Sequence, residues 1–197
     1  MKVLIVYCHP SADSFTHAVK DAFISGLADA GHTWEISDLY AMGFDPVYSS
    51  KQYGRDANYL SEGTAADDIL AEQTKLDSAD ATVFIYPVFW TEAPAMLVGW
   101  FQRVWSYGYA YGPDRTMKRL DRALFLVTMG GSLSDPVRAE QAAAMRTVML
   151  GDRVHDRAVS AEMVIFDEMT HGYGNDGNRA ERAGRFLAEA RRLGREL

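Results

Sequence analysis

Five short apolar segments alternate along this chain with five segments whose apolar residues recur at helical spacing. The first apolar segment, Lys2–Tyr7, is a continuous run rich in Val, Leu and Ile, which is typical of a strand buried on both faces. Predicted strands lie at residues 2–7, 33–39, 82–86, 123–128 and 163–166, and predicted helices at 15–30, 67–76, 95–106, 137–150 and 178–193. This alternation predicts the doubly wound α/β class, a five-stranded parallel sheet of order 2-1-3-4-5 between two layers of helices.

Local signals mark the ends of the first helix. Ser14 or Asp13 is a suitable N-cap, and Gly31 follows the helix where left-handed caps are commonest. Residues 41–64 are polar and rich in Tyr, Gly and Ser without a clear period, so we expect a functional excursion or short irregular pieces there.

The size and charge of the chain exclude several classes of protein. Its 197 residues predict one domain spanning residues 1–197, and its only cysteine, Cys8, excludes a disulfide scaffold and fits a reducing compartment. No apolar run reaches membrane length, so we expect a cytoplasmic protein without membrane insertion. The 20 basic and 27 acidic residues give a net charge of −7, which predicts no nucleic-acid partner.

Sheets of this class bind ligands beyond the carboxyl ends of their strands, where the strand order reverses. For the order 2-1-3-4-5, that point lies between the first and third strands and directs attention to residues 8–16, 87–94 and 128–136. The first of these loops enters a helix directly. Its N–H groups, with the side chains of His9 and Ser11, can hold a phosphate, although helix capping explains the loop better when it is taken alone.

The other two loops suit a flat ring system. Phe89 and Trp90 lie between two prolines, and they either stack on a bound ring or pack into the core. Gly130 and Gly131 let the backbone approach a ligand closely, or they simply make a turn. The Tyr-rich residues 107–112 form either an aromatic wall beyond a helix or a surface or dimer contact.

Other chemistries have weaker support. The five histidines show no metal-ligand spacing, so we predict no metal site. Residues 172–177 match G-x-G-x-x-G, but they follow the last strand instead of the first, and a flexible loop explains them better than a dinucleotide site. Cys8 and His9 are neighbours in an extended segment, so their side chains should face opposite sides, which argues against a Cys–His nucleophile pair.

Several uncommon residue combinations recur in one order along residues 2–135. They are DLYAMGFDPV at residues 38–47, Glu72-Gln73, PAML at 94–97, GWFQRV at 99–104 and TMGGS at 128–132. Together they resemble the NAD(P)H:quinone oxidoreductase (DT-diaphorase) family of flavoproteins. The resemblance implies a flavodoxin-like fold with a flavin at the carboxyl edge of the sheet.

The resemblance also implies which residues hold this flavin, with FAD as the cofactor (FMN possible) and NAD(P)H as the electron donor. The implied contacts are His9, Ser14, Phe15 and Thr16 at the phosphates and adenosine side, Pro87, Val88, Phe89 and Trp90 along the ring, Thr128, Met129, Gly130 and Gly131 at its polar edge, and Arg182 near the adenine. The implied substrate-binding residues are Trp90, Tyr109 and Tyr111, with the two tyrosines reaching in from a partner subunit of a homodimer.

The implied activity is ping-pong two-electron transfer, in which NAD(P)H passes a hydride to the flavin and a quinone-like small molecule then accepts it. Where larger family members have a Tyr and a His after the glycine pair, this chain has Pro136 and Ala142, so no catalytic side chain is assigned. Two other interpretations stay open. One is a regulatory flavoprotein subunit of a membrane ion-efflux system. The other is a flavodoxin-type electron carrier, which is disfavoured because the first loop lacks that family's Ser/Thr-Gly-Thr phosphate cradle.

Overall fold

The predicted parallel sheet is present, with helices on both of its sides. The structure, a computed structural model, describes residues 1–60, 65–170 and 177–197. Its elements are β1 (Lys2–Tyr7), α1 (Phe15–Asp29), β2 (Thr33–Asp38), α2 (Ser50–Ala57), α3 (Asp67–Ser78), β3 (Ala81–Pro87), α4 (Ala95–Val104), β4 (Leu120–Thr128), α5 (Pro136–Arg146), a π-helix (Thr147–Val154), β5 (Ala158–Phe166) and α6 (Arg179–Arg195). The five strands run parallel in the order β2-β1-β3-β4-β5, which confirms the predicted class and strand order.

The central strands are buried because helices cover both faces of the sheet. Every residue of β3 is buried, and its side chains alternate between two hydrophobic cores. Val83 and Ile85 face the core under α1 and α6, whereas Phe84 and Tyr86 face the larger core under α3, α4 and α5. The continuous apolar runs of the central strands therefore reflect burial on two sides.

The ends of α1 follow their sequence signals. The Ser14 hydroxyl accepts a hydrogen bond of 3.0 Å from the His17 backbone N–H, as an N-cap does, and Gly31 adopts a φ of +73°. Further along the helix, a Cβ on Gly26 would lie 2.0 Å from the Arg191 carbonyl oxygen, so the absence of a side chain lets α1 pack closely against α6. The helix that opens towards the ligand edge is thus fixed at both ends.

Three elements differ from the prediction. Helix α2 was missed, because Asp56 is its only buried residue and it has no apolar stripe. Strand β5 begins at Ala158 instead of residue 163, because its first half lies on the exposed sheet edge and lacks a continuous apolar run. The single helix predicted over 137–150 is α5 followed by the π-helix, a change of hydrogen bonding that has no simple sequence signal.

Parts of two sequence features lie outside the described residues. They are residues 61–64 of the polar segment and residues 172–176 of the G-x-G-x-x-G match. Among the helices that the structure does describe, none is long and apolar enough to cross a membrane.

Candidate functional site

The loops after β1, β3 and β4 meet at one edge of the sheet. The Cys8 N–H donates to the Ile85 carbonyl at 3.0 Å, and the Val88 N–H donates to the Thr128 carbonyl at 2.8 Å. The Met129 N–H continues the pattern with the Phe166 carbonyl at 2.9 Å. These bonds extend the parallel ladders just beyond the strands, so the three loops leave the sheet side by side at the point where the strand order reverses.

A cavity of about 390 Å³ lies between these loops. Its lining includes most of the residues expected to hold a cofactor, namely His9, Ser14, Phe15, Thr16, Pro87, Val88, Thr128, Met129 and Gly130. Ser11, Asp13, Met169 and Thr170 complete it. Met169 and Thr170 were missed because they follow β5, whose loop carried no sequence signal for a ligand. The loop reaches the cavity because the Met169 N–H bonds to the Met129 carbonyl at 3.0 Å.

One end of the cavity is suited to an anion. Phe15 and Thr16 open α1, and the first turn of a helix offers N–H groups that have no intrahelical acceptor. The Thr16 hydroxyl is buried and lies 2.7 Å from the Thr128 hydroxyl, which joins the first loop to the third. Capping and anion binding are therefore compatible here, because Ser14 satisfies the His17 N–H and leaves the earlier N–H groups available.

His9 lies at the same end as a neutral hydrogen-bond donor. Its Nδ1 atom lies 3.0 Å from the Ser11 nitrogen and 3.1 Å from the Ser11 oxygen. Because the Ser11 N–H is directed at the ring, we assign Nδ1 as the acceptor and place the ring proton on Nε2. Burial lowers the pKa of His9, and His17 contributes in the same direction while the Ser11 backbone opposes it.

The third loop approaches the β5 loop so closely that a side chain at Gly130 would clash with the Thr170 hydroxyl. A Cβ on Gly130 would lie 2.0 Å from the Thr170 hydroxyl oxygen, whereas real Cβ contacts stay beyond 3.0 Å. Gly131 does not line the cavity, and its carbonyl accepts from the Glu168 N–H at 3.1 Å. Gly130 therefore lets backbone line this side of the cavity, which suits a flat group lying against it.

The second loop carries its aromatic side chains outside the cavity. Phe89 and Glu92 exchange two backbone hydrogen bonds, of 2.9 and 3.1 Å, and so form a tight turn with Trp90 and Thr91 at its tip. Trp90 is 97% exposed, so packing into the core is excluded as the reason for its presence. Phe89 and Trp90 instead border a neighbouring, mainly apolar groove of about 710 Å³ that includes Val47.

The two predicted substrate-binding tyrosines lie away from the cavity within this chain. Tyr109 is buried, and its hydroxyl donates to the Asp77 carboxylate at 2.9 Å, so it belongs to the core of its own chain. Burial raises the pKa of Tyr109, and the Asp77 charge adds to the effect. Tyr111 is 38% exposed and packs edge-on against Tyr107, with ring centres 5.6 Å apart. The chain by itself does not bring either tyrosine to the ligand edge.

Arg182 lies beside the cavity without lining it. Its guanidinium is 2.9 Å from the Glu168 carboxylate, and Glu168 directly precedes Met169 in the cavity wall. Helix α6 also contributes Phe186, whose ring centre is 6.5 Å from that of Phe15. The Phe15–Phe186 contact and the Arg182–Glu168 ion pair thus continue the surface from the cavity towards α6.

Cys8 and the positions after the glycine pair offer no reactive group. Cys8 is fully buried, and burial raises the pKa of its thiol to about 12, so thiolate chemistry is excluded near neutral pH. Pro136 is the first residue of α5, and Ala142 packs in the core. None of these three positions therefore supplies a reactive side chain at this edge.

Comparisons with known proteins agree with the resemblance drawn from the motifs. The model of the Flavodoxin_2 family, described as a flavodoxin-like fold, matches residues 1–154. A protein of Rattus norvegicus named NAD(P)H dehydrogenase [quinone] 1 is 37% identical over 154 residues, which cover 66% of this chain and 54% of that protein. The chain thus spans about half the length of this curated relative.

A solved structure is similar over nearly its whole length. It is an NAD(P)H:quinone oxidoreductase from Methanothermobacter marburgensis, with 38% sequence identity and a TM-score of 0.88 over 100% of this chain and 95% of that one. A human protein named ribosyldihydronicotinamide dehydrogenase [quinone] is 34% identical over 148 residues, covering 66% of this chain and 64% of its own length. The resemblance predicted from the motifs is confirmed.

Proposed function

Because the chain belongs to the Flavodoxin_2 family of flavodoxin-like folds, we propose that it is a flavin-dependent oxidoreductase that uses NAD(P)H to reduce quinones or similar aromatic acceptors. In this proposal residues 1–197 form one flavin-binding domain. The observation that carries it is the cavity at the strand-order reversal, which has helix N–H donors at one end and a glycine-lined wall at its side. Those two features match a phosphate tail and a flat ring.

The first loop would hold the phosphates. The N–H groups that open α1 point their positive dipole end at this part of the cavity, and the His9 Nε2–H is a further donor. Ser14, Phe15 and Thr16 would surround the same group, since all of them line the cavity. Asp13 also lines the cavity, and its negative charge would oppose a phosphate close to its carboxylate.

The second and third loops would hold the ring. Pro87 and Val88 offer an apolar surface, and Thr128, Met129 and Gly130 lie next to them, since the Val88 N–H bonds to the Thr128 carbonyl. The Met129 N–H is already bonded to the Phe166 carbonyl, so the N–H group of Gly130, which lines the cavity, would be the donor to the polar edge of the ring.

The bound flavin would supply the chemistry, since flavins accept a hydride from NAD(P)H and return it to an acceptor. The protein's own part is to orient the two substrates and to exclude water around them. Phe89 and Trp90 would form the wall against which nicotinamide and quinone bind in turn, because they stand exposed beside the cavity.

We propose FAD as the flavin in preference to FMN. The support is the surface beyond the cavity, where Phe15 contacts Phe186 and Arg182 lies beside Glu168, because an adenosine half would extend along it. Heating the purified protein and identifying the released flavin by mass tests this directly. Release of FMN would refute the choice of FAD and leave the rest of the proposal standing.

We also propose a cytoplasmic homodimer in which the Tyr-rich segment of one subunit faces the flavin of the other. The apolar groove beside Phe89 and Trp90 supports a protein contact at that edge. Tyr111, being exposed, would make the substrate contact, and Tyr109 would anchor the segment through Asp77. Light scattering of the purified protein measures the oligomeric state, and a monomer at micromolar concentration would contradict this arrangement.

The decisive experiment is an anaerobic titration of the FAD-loaded protein with NADH and NADPH, followed by a panel of quinones. We expect the flavin absorbance to bleach with one nicotinamide and to return with a quinone, in two separable steps. A protein that binds no flavin, or whose flavin does not bleach, would exclude the proposed enzyme. A stable blue one-electron form would favour an electron carrier instead.

A further inference from the structure

The turn at residues 89–92 holds its most exposed side chain in an unfavourable backbone conformation. Trp90 has a φ of +60°, in the left-handed region that suits glycine and is rare for a bulky side chain. Its indole gains nothing from burial, because it is 97% exposed. Strained residues of this kind persist only where surrounding contacts determine them, and they cluster at functional sites.

Glu92 is the residue of the turn that reaches back to the body of the protein. One of its carboxylate oxygens accepts from the Ala93 N–H at 2.9 Å, and the other lies 3.7 Å from the Arg153 guanidinium. Arg153 is 14% exposed at its side chain and Glu92 is 45% exposed. This ion pair connects the turn to an element far away in the sequence.

Arg153 is itself held from several directions. It lies on the π-helix, an uncommon conformation that is frequent at functional sites. Its guanidinium lies 4.9 Å from the ring centre of Phe101, and its carbonyl accepts from the Trp105 indole N–H at 2.7 Å. The chain then leaves the π-helix at His155 with a φ of +44°. Each partner of the ion pair therefore lies two residues from a strained position, Trp90 for Glu92 and His155 for Arg153. The contacts with Phe101 and Trp105 hold Arg153 in place.

We propose that Arg153 is a positioning residue that acts through Glu92 to hold the Trp90 turn, and that it thereby sets which acceptors bind beside the cavity. The inference rests on the proposed function to the extent that Trp90 forms a wall of the acceptor site. It assigns to the π-helix a role in selectivity that neither the motifs nor the cavity lining indicates. Arg153 touches neither flavin nor acceptor in this scheme.

Backbone and indole ¹⁵N relaxation of the purified whole chain, with and without added FAD, tests the positioning. In the native protein we expect a Trp90 order parameter of about 0.85, and in Arg153→Gln and Glu92→Gln a value below about 0.6. Glu92→Gln keeps an oxygen for the Ala93 N–H and removes only the charge. The Trp105 indole resonance reports whether the π-helix is intact.

The matched control is Arg122→Gln near the amino end of β4, away from the cavity, which breaks an exposed ion pair with Glu162 and a hydrogen bond to the Glu196 carbonyl. It should leave the Trp90 order parameter unchanged. If Arg153→Gln shifts the Trp105 resonance, Glu92→Gln decides the matter, because it leaves Arg153 and its helix contacts in place. An unchanged Trp90 order parameter in both variants overturns the proposal.

Steady-state kinetics with a small and a bulky quinone test the selectivity. We expect the ratio of the two kcat/KM values to change roughly tenfold in both turn variants, mainly through KM for the acceptor. The dissociation constant for FAD should stay as in the Arg122→Gln control. If the Trp90 turn becomes more mobile but the ratio of the two kcat/KM values does not change, the proposed role of Arg153 in acceptor choice is refuted. A wild-type chain that binds no flavin would refute the proposed function, while the relaxation data would still decide whether Arg153 holds the turn.

Discussion

Glu72→Gln should destabilise the protein strongly although it changes a single atom. The Glu72 side chain is fully buried on α3 and accepts three hydrogen bonds. Its Oε1 accepts from the Ser37 hydroxyl at 3.0 Å and the Lys75 ammonium at 2.6 Å, and its Oε2 accepts from the Trp100 indole N–H at 2.8 Å. One carboxylate therefore joins β2, α3 and α4 on one side of the sheet.

A glutamine cannot satisfy these donors. If its oxygen faces Lys75 and Ser37, its NH₂ group faces the Trp100 N–H, which can only donate. A hydrogen bond to a charged group contributes about 1.5–3 kcal/mol, and an unsatisfied buried donor costs about 1–3 kcal/mol. Because these terms overlap, we expect a loss of about 2–4 kcal/mol in the free energy of unfolding. For a chain of this size, each kcal/mol lowers Tm by about 2–4 °C.

Urea unfolding followed by circular dichroism measures this loss. The matched control is the same substitution in a Trp100→Phe background, where the competing indole donor is absent and the NH₂ group meets no donor. There the cost of Glu72→Gln should fall by about 1–3 kcal/mol, the value of the unsatisfied donor. A loss below about 0.5 kcal/mol, or an equal loss in both backgrounds, would refute the reasoning.

Three further substitutions test the site. Gly130→Ala brings a Cβ to 2.0 Å from the Thr170 hydroxyl, so affinity for FAD should fall about tenfold in fluorescence titrations. The affinity should recover in Gly130→Ala/Thr170→Ala. No recovery would mean that the contact with Thr170 is not the cause. Burial lowers the pKa of His9 and a nearby phosphate would raise it, so binding takes up protons. FAD affinity measured by calorimetry should therefore rise from pH 8 to pH 6. If the same pH dependence persists in His9→Gln, a group other than His9 takes up the proton. Trp90→Gly should be more stable than Trp90→Ala by about 1 kcal/mol in urea unfolding, because φ at that position is +60°; equal stability would show that the turn relaxes.

Much of the fold follows from local sequence patterns. The continuous apolar run of β1 predicted a strand buried on both faces, the later apolar runs predicted β3 and β4, and Ser14 and Gly31 marked the limits of α1. Helix α2 and the first half of β5 were missed for one reason: both are mostly exposed, so neither carries the apolar periodicity on which such predictions depend.

The candidate site divides in the same way. The loops after β1, β3 and β4 could be chosen from the strand order, and nearly all of the cavity lining lies on them. The wall formed by Met169 and Thr170 could not be predicted from the strand order, because it depends on how the loop after β5 bonds back to Met129. The motifs also carried no sign that Tyr109 is buried against Asp77.

The sequence by itself determined the layered architecture, the strand order and the edge at which a ligand binds. The layered architecture follows from short-range periodicity and from the handedness of parallel connections. The predicted strand order is one of the commonest for five such strands, and the ligand edge follows from that order. Tertiary structure decided the exposure of Trp90, the close approach of Gly130 to Thr170 and the pairing of Glu92 with Arg153. Such contacts join residues far apart in the chain, and their geometry depends on the packing of whole elements, so no local pattern encodes them.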